Sequence, residues 1–557
     1  MKYSQKILSQ TVTQLCLAKG IDHIVISPGS RNAPLILGFT EEKAFESFSV
    51  VDERCAAFFA LGMAQQKNAA VALVCSSGSA LLNYYPAIAE AFYSDIPLVV
   101  ISADRPAHLI DVGDGQTIRQ EGVYANHILY SANCKEGEKH QHFNELEINT
   151  ALNTAIERKG PVHINVPFSE PLYEVVNEPT IKSQNIPYSL NSDPFNGNTD
   201  AFLTHWNTAK RKMILVGVLP PNSVEQEFID RLGADESVIV LTETTSNLHH
   251  PNFFPAIDQL IAPLSKEELE DLQPDVLVTF GGMVISKKIK AFLRTYTPKA
   301  HYHIDEKREM DTFFVLSQHF SININSFYNL LLIDNQLVKS NYRNNWLHVK
   351  NTRLRLHESY VNSIEYSDFK VFSLVFNSLP ENVQLQLANS ATVRYAQLFD
   401  LDESLAVFCN RGTSGIDGST STAIGAAYVS ASPTVLITGD LSFFYDSNAL
   451  WNQYIPKNFR IIIVNNSGGG IFRILPGKND SDNFATYFET KHDLTAEQLA
   501  KMYDFEYESA TNESTLHAVL GSFYKDAEAP KILEIFTPSE VNDRVLLDYF
   551  KSISGGG

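Results

Sequence analysis

The sequence predicts an α/β fold, built as three consecutive α/β domains with mainly parallel sheets. Three observations lead there. Short apolar runs alternate with helix-like segments along most of the chain, the pattern of strands joined by crossover helices. At 557 residues the chain is too long for one ordinary core, so several are needed. After "VPFSEPLY" the chain turns polar and proline-rich up to residue 200, which is the composition of a linker.

The elements follow in order. "MKYSQKILSQTVTQLC" reads as an amphipathic helix whose polar residues interrupt any signal-peptide core. Strands are expected at 23–27 ("HIVIS"), 48–51, 70–75, 97–102 and 162–167, with helices in "RCAAFFALGMAQQ" and "GSALLNYYPAIAEAFY". A second block places strands at 212–218, 237–243, 275–282 and 300–305, and "VKSNYRNNWLHVKNTRLRLHESY" reads as exposed helix and connector. A third block, from residue 368, places strands at 405–410, 434–440, 460–466 and 531–537. The terminal "SGGG" reads as a flexible tail. The expected domains span 1–180, 200–340 and 365–557, and no short repeat or low-complexity tract interrupts them.

Composition excludes several functions. Hydrophobic content of 44% with 19% charged residues is that of a folded globular protein. A formal charge of −20 argues against nucleic acid or an anionic membrane as partner, while leaving room for a local basic pocket. The five cysteines are scattered and form no CxxC, so neither a disulfide framework nor a cysteine zinc site is expected. No uncharged apolar run approaches the ~20 residues that span a bilayer. A soluble, cytoplasmic protein is the expectation.

In "LITGDLSFFYD" an apolar strand delivers Asp440 just past a glycine, and Asn466 ends another strand 26 positions later, before "SGGG". Ligands of open α/β sheets bind beyond the carboxyl ends of strands. If the two strands are neighbours, a carboxylate, an amide oxygen and a turn carbonyl form a hard-oxygen set suited to Mg²⁺. The glycines would let the backbone approach a diphosphate closely. The one helix expected between them is "SNALWNQYI". Taken singly, Asp440 reads equally well as a helix cap and Asn466 as a turn residue.

This segment resembles the thiamine-diphosphate motif, Gly-Asp followed by Asn-Asn a little under thirty residues on. Leu441 stands where the family usually has the last glycine of Gly-Asp-Gly, a mild departure. The resemblance covers nearly the whole chain, because the family has three such domains in the order pyrimidine-binding, central and diphosphate-binding. It implies that Asp440, Asn466 and the Gly468 carbonyl hold Mg²⁺ (or Mn²⁺), and that Leu441, Ser442 and Gly469 lie on the cofactor. It also implies a role for Glu53 in "FSVVDERCAAFFALG", as the acid that hydrogen-bonds N1′ of the aminopyrimidine. Its apolar neighbours Ala56, Ala57, Phe58 and Phe59 suggest a dry setting that would favour a shared proton. An isolated Glu there reads simply as an acid at a helix start. In this family the glutamate serves the partner subunit's cofactor, which implies a homodimer or a dimer of dimers.

Further motifs narrow the group. "ISPGSRNAPL" carries Ser30 and Arg31, "SADRPAHL" Arg105, and "GDGQTIRQ" Gln116 and Arg119. "ANSATVR" carries Ser390 and Arg394, and "NRGTSGIDGSTSTAIGAA" carries Arg411 and Ile416. Together they closely resemble the menaquinone-pathway synthases that join 2-oxoglutarate to isochorismate. The resemblance implies that Ser30, Arg31, Arg105, Gln116, Ser390, Arg394 and Arg411 bind substrate, with Arg308 in "HIDEKREMD" as a further central arginine. It makes Ile416 the wedge under the bent cofactor, and Ile471 and Phe472 the apolar wall above it. The chemistry agrees, since both substrates are dicarboxylates and guanidinium groups bind carboxylates bidentately. A lone arginine reads otherwise as a surface ion pair, Arg105 and Arg119 most of all. No histidine lies in these motifs. The rival enzyme reading is an acetolactate-synthase-like carboligase. A rival of another class is a nucleotide-binding or regulatory α/β protein.

Overall fold

The computed structural model describes residues 2–188, 198–332, 337–474 and 481–554. Three parallel sheets follow one another along the chain. A two-residue strand, β1 (Tyr3–Ser4), pairs antiparallel with β8 (Val175–Val176) and ties the N-terminus to the end of the first sheet's segment. The first sheet contains β2 (His23–Ile26), β3 (Glu46–Ser49), β4 (Val71–Cys75), β5 (Leu98–Asp104), β6 (Tyr130–Asn133) and β7 (Val162–Pro167), in the order β3-β2-β4-β5-β7-β6. The central sheet contains β9 (Lys212–Val216), β10 (Val238–Leu241), β11 (Val276–Phe280), β12 (Ala300–Ile304) and β13 (Leu316–Phe320), in the order β10-β9-β11-β12-β13. The third contains β14 (Gln384–Leu387), β15 (Ala406–Phe408), β16 (Thr434–Gly439), β17 (Arg460–Asn465), β18 (Glu506–Ala510) and β19 (Lys531–Phe536), in the order β15-β14-β16-β17-β19-β18.

The inner strands β4, β5, β9, β11 and β17 are buried throughout, because helices cover both faces of each sheet. Besides the two-residue β1 and β8, four strands are not predicted: β6, β13, β14 and β18. Their sequences, "YSAN", "LSQHF", "QLQL" and "EYESA", are half polar. Of these β6, β13 and β18 are sheet edges, where one flank meets water. β14 lies inside its sheet, and its Gln384 finds a partner in the Thr434 hydroxyl at 3.2 Å. The strand expected at 48–51 begins two residues earlier, at Glu46.

Two expected helices also differ. "SNALWNQYI" is not one helix: a helix Asp440–Tyr445 and a 3-10 turn Ser447–Leu450 take its place. Helix Tyr342–Ser363 is only partly exposed. Its Tyr342, Trp346, Arg353 and His357 are buried. Arg353 donates to the Ile553 carbonyl, and His357 Nδ1 lies 2.8 Å from the Tyr549 hydroxyl, so the helix ties the central sheet's segment to the C-terminal helix. Part of the expected linker, residues 189–197, and the terminal glycines 555–557 lie outside the described residues. Among the described residues no helix is long and apolar enough to cross a membrane. All five cysteines are free and buried.

The first and third sheets share one apolar core. Helix Glu53–Lys67, from the first, crosses helix Ser419–Val429, from the third. Their backbones touch at two glycines. A Cβ on Gly62 would strike the Thr422 carbonyl, and a Cβ on Gly425 would strike the Phe59 carbonyl. Only glycine permits this approach.

Candidate active site

The site begins at the carboxyl ends of β16 and β17, which are paired neighbours. Asp440 follows β16 at the first turn of its helix and is 3% exposed. Its Oδ1 accepts from the Leu441 N–H at 2.7 Å, and its Oδ2 accepts from the Gly468 N–H at 2.9 Å. Burial pushes the Asp440 carboxyl up to about 6, against the pull of those N–H groups and of His492. Asn466, one residue past β17, is 8% exposed. Its Nδ2 donates to Asp368 Oδ2 at 2.8 Å, while its buried Oδ1 has no partner. A buried amide oxygen without a donor is costly unless something electropositive meets it. The residues therefore fit a hard cation: Asp440 beside Asn466 Oδ1. Among the described residues no group of three His, Cys, Asp or Glu side chains stands at metal-ligand spacing. A cation here would be gripped by one carboxylate, one amide and main-chain oxygen.

The glycine turn has the shape this needs. Gly468 has φ +143°, and a Cβ on it would lie 2.5 Å from the Glu489 carbonyl. The Gly469 N–H donates to that same carbonyl at 2.6 Å, and the Gly468 carbonyl accepts from Gly470 at 3.1 Å. Ile471 and Phe472 continue into a 3-10 turn and are half-buried, with Phe472 edge-on to Phe488 at 6.0 Å. Ser442 donates to the Ile416 carbonyl at 2.6 Å, which binds the "SGIDG" loop to the Asp440 helix. Ile416 itself is 38% exposed.

Two residues of this cradle were invisible in the sequence. His492 Nδ1 accepts from the Leu494 N–H at 3.1 Å, which puts its proton on Nε2, 3.3 Å from Asp440 Oδ2. Asp368, fully buried, also accepts from the Thr537 hydroxyl at 2.5 Å and thereby fixes which way the Asn466 amide faces. Desolvation raises its pKa, and the neighbouring amide and hydroxyl oppose that. A three-residue motif search cannot find such partners, because Asp368 lies 98 positions from Asn466.

The predicted substrate residues fall into two groups. Arg31, 5% exposed at the end of β2, donates to the Phe168 carbonyl at 2.7 Å and pairs with Glu170 at 2.9 Å. Desolvation, and next the charge of the nearby Arg105, lower its pKa. The Nε of both is buried without a partner. Gln116, with φ +54°, donates to the Ser77 carbonyl at 3.1 Å beside them. Ser30 stands exposed on the same loop as Arg31. Arg119 is outside this group, an exposed ion pair with Asp111 at 2.8 Å.

The second group sits on the third sheet. Ser390, with φ +67°, holds a strained conformation at the end of β14, and its carbonyl accepts from Arg394 at 2.9 Å. Arg411 donates to Asn389 Oδ1 at 2.6 Å, and its Nε has no partner. Arg394 has its pKa lowered by desolvation and then by Arg411, so this pair too is a concentrated positive site. Arg308 joins neither group. It donates to the Tyr93 carbonyl at 2.8 Å and to the Phe92 carbonyl, and pairs with Asp95 at 3.0 Å. There it caps the end of helix Tyr85–Ser94.

Glu53 opens its helix, next to the capping Asp52, and is half-buried. Its Oε2 accepts from Asn83 at 3.4 Å. Ala56, Ala57, Phe58 and Phe59, which follow it on the helix, pack into the shared core. Among the described residues, no hydrogen bond or ion pair links Glu53 to Asp440 or Asn466 within one chain.

Three family models match the chain in sequence. They are the thiamine pyrophosphate enzyme N-terminal TPP binding domain at 7–125, the middle domain of thiamine pyrophosphate at 183–387, and the C-terminal TPP binding domain at 390–535. The middle match runs through β14, which the structure gives to the third sheet. Curated relatives are similar over their full length. A protein of Flavobacterium psychrophilum named 2-succinyl-5-enolpyruvyl-6-hydroxy-3-cyclohexene-1-carboxylate synthase is 54% identical over 554 residues, covering 100% of both chains. The protein of the same name from Christiangramia forsetii is 54% identical, covering 99% of each. That from Porphyromonas gingivalis is 37% identical, covering 99% of this chain and 98% of its own. With three matched domains and relatives of this identity end to end, the chain belongs to the 2-succinyl-5-enolpyruvyl-6-hydroxy-3-cyclohexene-1-carboxylate synthase family of thiamine-diphosphate enzymes.

Proposed function

We propose that the chain decarboxylates 2-oxoglutarate and adds the remaining four-carbon unit to isochorismate by 1,4-addition. The product would be 2-succinyl-5-enolpyruvyl-6-hydroxy-3-cyclohexene-1-carboxylate, an intermediate of menaquinone biosynthesis. The observation that carries this reading is the pair Asp440 and Asn466 at neighbouring strand ends, with Asn466 Oδ1 buried and unpartnered. Thiamine diphosphate, when bound, supplies the means of cleaving a 2-oxoacid at its carboxylate.

The chain's own residues do the rest. Asp440, Asn466 and the Gly468 carbonyl hold Mg²⁺ or Mn²⁺, and Leu441, Ser442 and Gly469 border the diphosphate. Ile416, Ile471 and Phe472 present apolar surface that keeps water from the reacting carbon. Glu53 holds a proton at the aminopyrimidine end of the cofactor. Arg31, Arg105 and Gln116 with Ser30, and Arg394 and Arg411 with Ser390, bind the substrates' carboxylates. Domains 1–180, 200–340 and 365–557 act as the pyrimidine-binding, central and diphosphate-binding parts.

Glu53 and the metal cradle serve one cofactor when two chains associate. Val51, Leu82, Tyr445 and Trp451 support that arrangement, being large apolar side chains exposed near the ends of the same elements. Such exposure is typical of a surface awaiting a partner. The test is consumption of 2-oxoglutarate with isochorismate, set against pyruvate homocoupling. Homocoupling alone would replace this reading with the acetolactate-synthase-like one.

A further inference from the structure

Helix Tyr85–Ser94 belongs to the first sheet's layer, yet its last turn holds parts of both other domains. On one side Arg308, just past β12, caps it, and Lys307 pairs with Asp95 at 2.9 Å. On the other side lies Glu90, 1% exposed and far from any water-facing role. Its two oxygens accept four hydrogen bonds. Oε1 takes the Gly412 N–H at 2.7 Å and the Ser94 hydroxyl at 2.8 Å. Oε2 takes the Thr413 N–H at 2.6 Å and the Thr413 hydroxyl at 2.8 Å. The approach is so close that a Cβ on Gly412 would stand 2.6 Å from the Glu90 carbonyl and 2.7 Å from the Ser94 hydroxyl.

The loop gripped this way, 410–418, carries Arg411 and Ile416. Its other flank is held by Asn389, which donates to the Asn410 and Gly415 carbonyls at 2.7 Å each and accepts from Arg411 Nη1. Asn389 is local to the third sheet. Glu90 reaches across 322 residues from the first domain. A buried carboxylate with every bond made is rigid, and removing one acceptor would leave a main-chain N–H unpaired in a dry place.

We propose that Glu90 is a positioning residue for substrate binding: by clamping Gly412 and Thr413 it fixes the plane of the Arg411 guanidinium against the carboxylate it receives. The proposal rests on Arg411 being a substrate-binding residue. Bidentate recognition needs a fixed plane, and a displacement of ~1 Å costs about a hundredfold in a preorganised site. Of this loop Glu90 holds only Gly412 and Thr413, whereas Ile416 is tied separately, by Ser442 on its own carbonyl and by Asn389 on the Gly415 carbonyl, so the loss of Glu90 is expected to be felt at Arg411 before the cofactor.

The test is steady-state kinetics of the full-length protein with 2-oxoglutarate and isochorismate, alongside titration of thiamine diphosphate and Mg²⁺. Glu90→Gln is expected to raise KM for the substrate held by Arg411 about tenfold, with cofactor affinity changed by less than about twofold. Thr413→Val removes a single donor from the clamp and is expected to raise the same KM about threefold; it carries the test if Glu90→Gln does not fold. The proposal is overturned if neither KM moves by about twofold. It is equally overturned if cofactor and substrate affinities fall together, as loosened packing would make them. Arg411→Lys separates the layers. If it raises the KM while the clamp variants do not, only the clamp is wrong; if it is silent, the substrate role of Arg411 fails and the clamp with it.

Discussion

The first and third sheets have the same strand order, yet their crevices are furnished in opposite ways. Counted within each sheet, both run second-first-third-fourth-sixth-fifth. In the third, the crevice acids Asp440 and Asp368 are buried and hydrogen-bonded, and Asn466 is fixed through its Nδ2 while its buried Oδ1 stays unpartnered. In the first, Glu53 is half-exposed with one long hydrogen bond, at 3.4 Å. The topology alone therefore does not make a site; what each loop adds does. The third sheet presents Asp440 and the unpartnered Asn466 Oδ1, the proposed grip for a cation. The first offers a carboxylate whose surroundings are still open in a single chain.

Five measurements break or sharpen that contrast. The largest effect is expected at the loosely held acid: Glu53→Gln should lower kcat by roughly a thousandfold, within the 10²–10⁴ range of proton-transfer groups, while thiamine diphosphate still binds. Unchanged turnover would remove Glu53 from the chemistry. Next is the seam between the halves. Gly62→Ala forces helix Glu53–Lys67 off the Thr422 carbonyl and should cost about 3 kcal/mol in denaturant unfolding, because main chain cannot step aside as a flexible side chain does.

The tightly held crevice comes third. Asp440→Asn should weaken Mg²⁺ about a hundredfold in calorimetric titration, or Mn²⁺ in its spin-resonance signal. Fourth is Asp446, which is fully buried, accepts from Ser421 N–H at 2.7 Å and is pushed up to about 6 by desolvation. Its folded pKa exceeds the unfolded value near 3.8. Above pH 6 the folded chain thus carries a costly buried charge, and as pH falls towards 4 it takes up a proton that the unfolded chain does not. Wild type should gain stability relative to Asp446→Asn across that window by on the order of 2 kcal/mol. A difference in melting temperature that stays constant with pH would refute this. Smallest is Asp368→Asn, which lets the Asn466 amide turn and should weaken the metal about tenfold with the fold intact.

The buried half of the fold and the linear half of the candidate site are legible in the sequence. Strands such as "AVALVC" and "RIIIVNN" are legible because a strand covered on both faces must be apolar at every position. "YSAN" and "EYESA" are not, because an edge needs no such run. Asp440 and Asn466 are legible because two successive strand ends fix their spacing. Asp368, His492, Asn389 and Glu90 act through partners far along the chain, so no local pattern marks them. Arg308 shows the reverse case: the motif around it pointed to a substrate, and the structure puts its guanidinium on a helix end.

The glycine crossing has one more consequence. Because Gly62 and Gly425 let two backbones interlock, the first and third domains have no slack between them and would move as a single block. Breathing that admits a bulky cofactor then falls to the loops at the rim and to the central domain. Protection of those two helices against amide exchange should accordingly outlast that of every segment bordering the cleft.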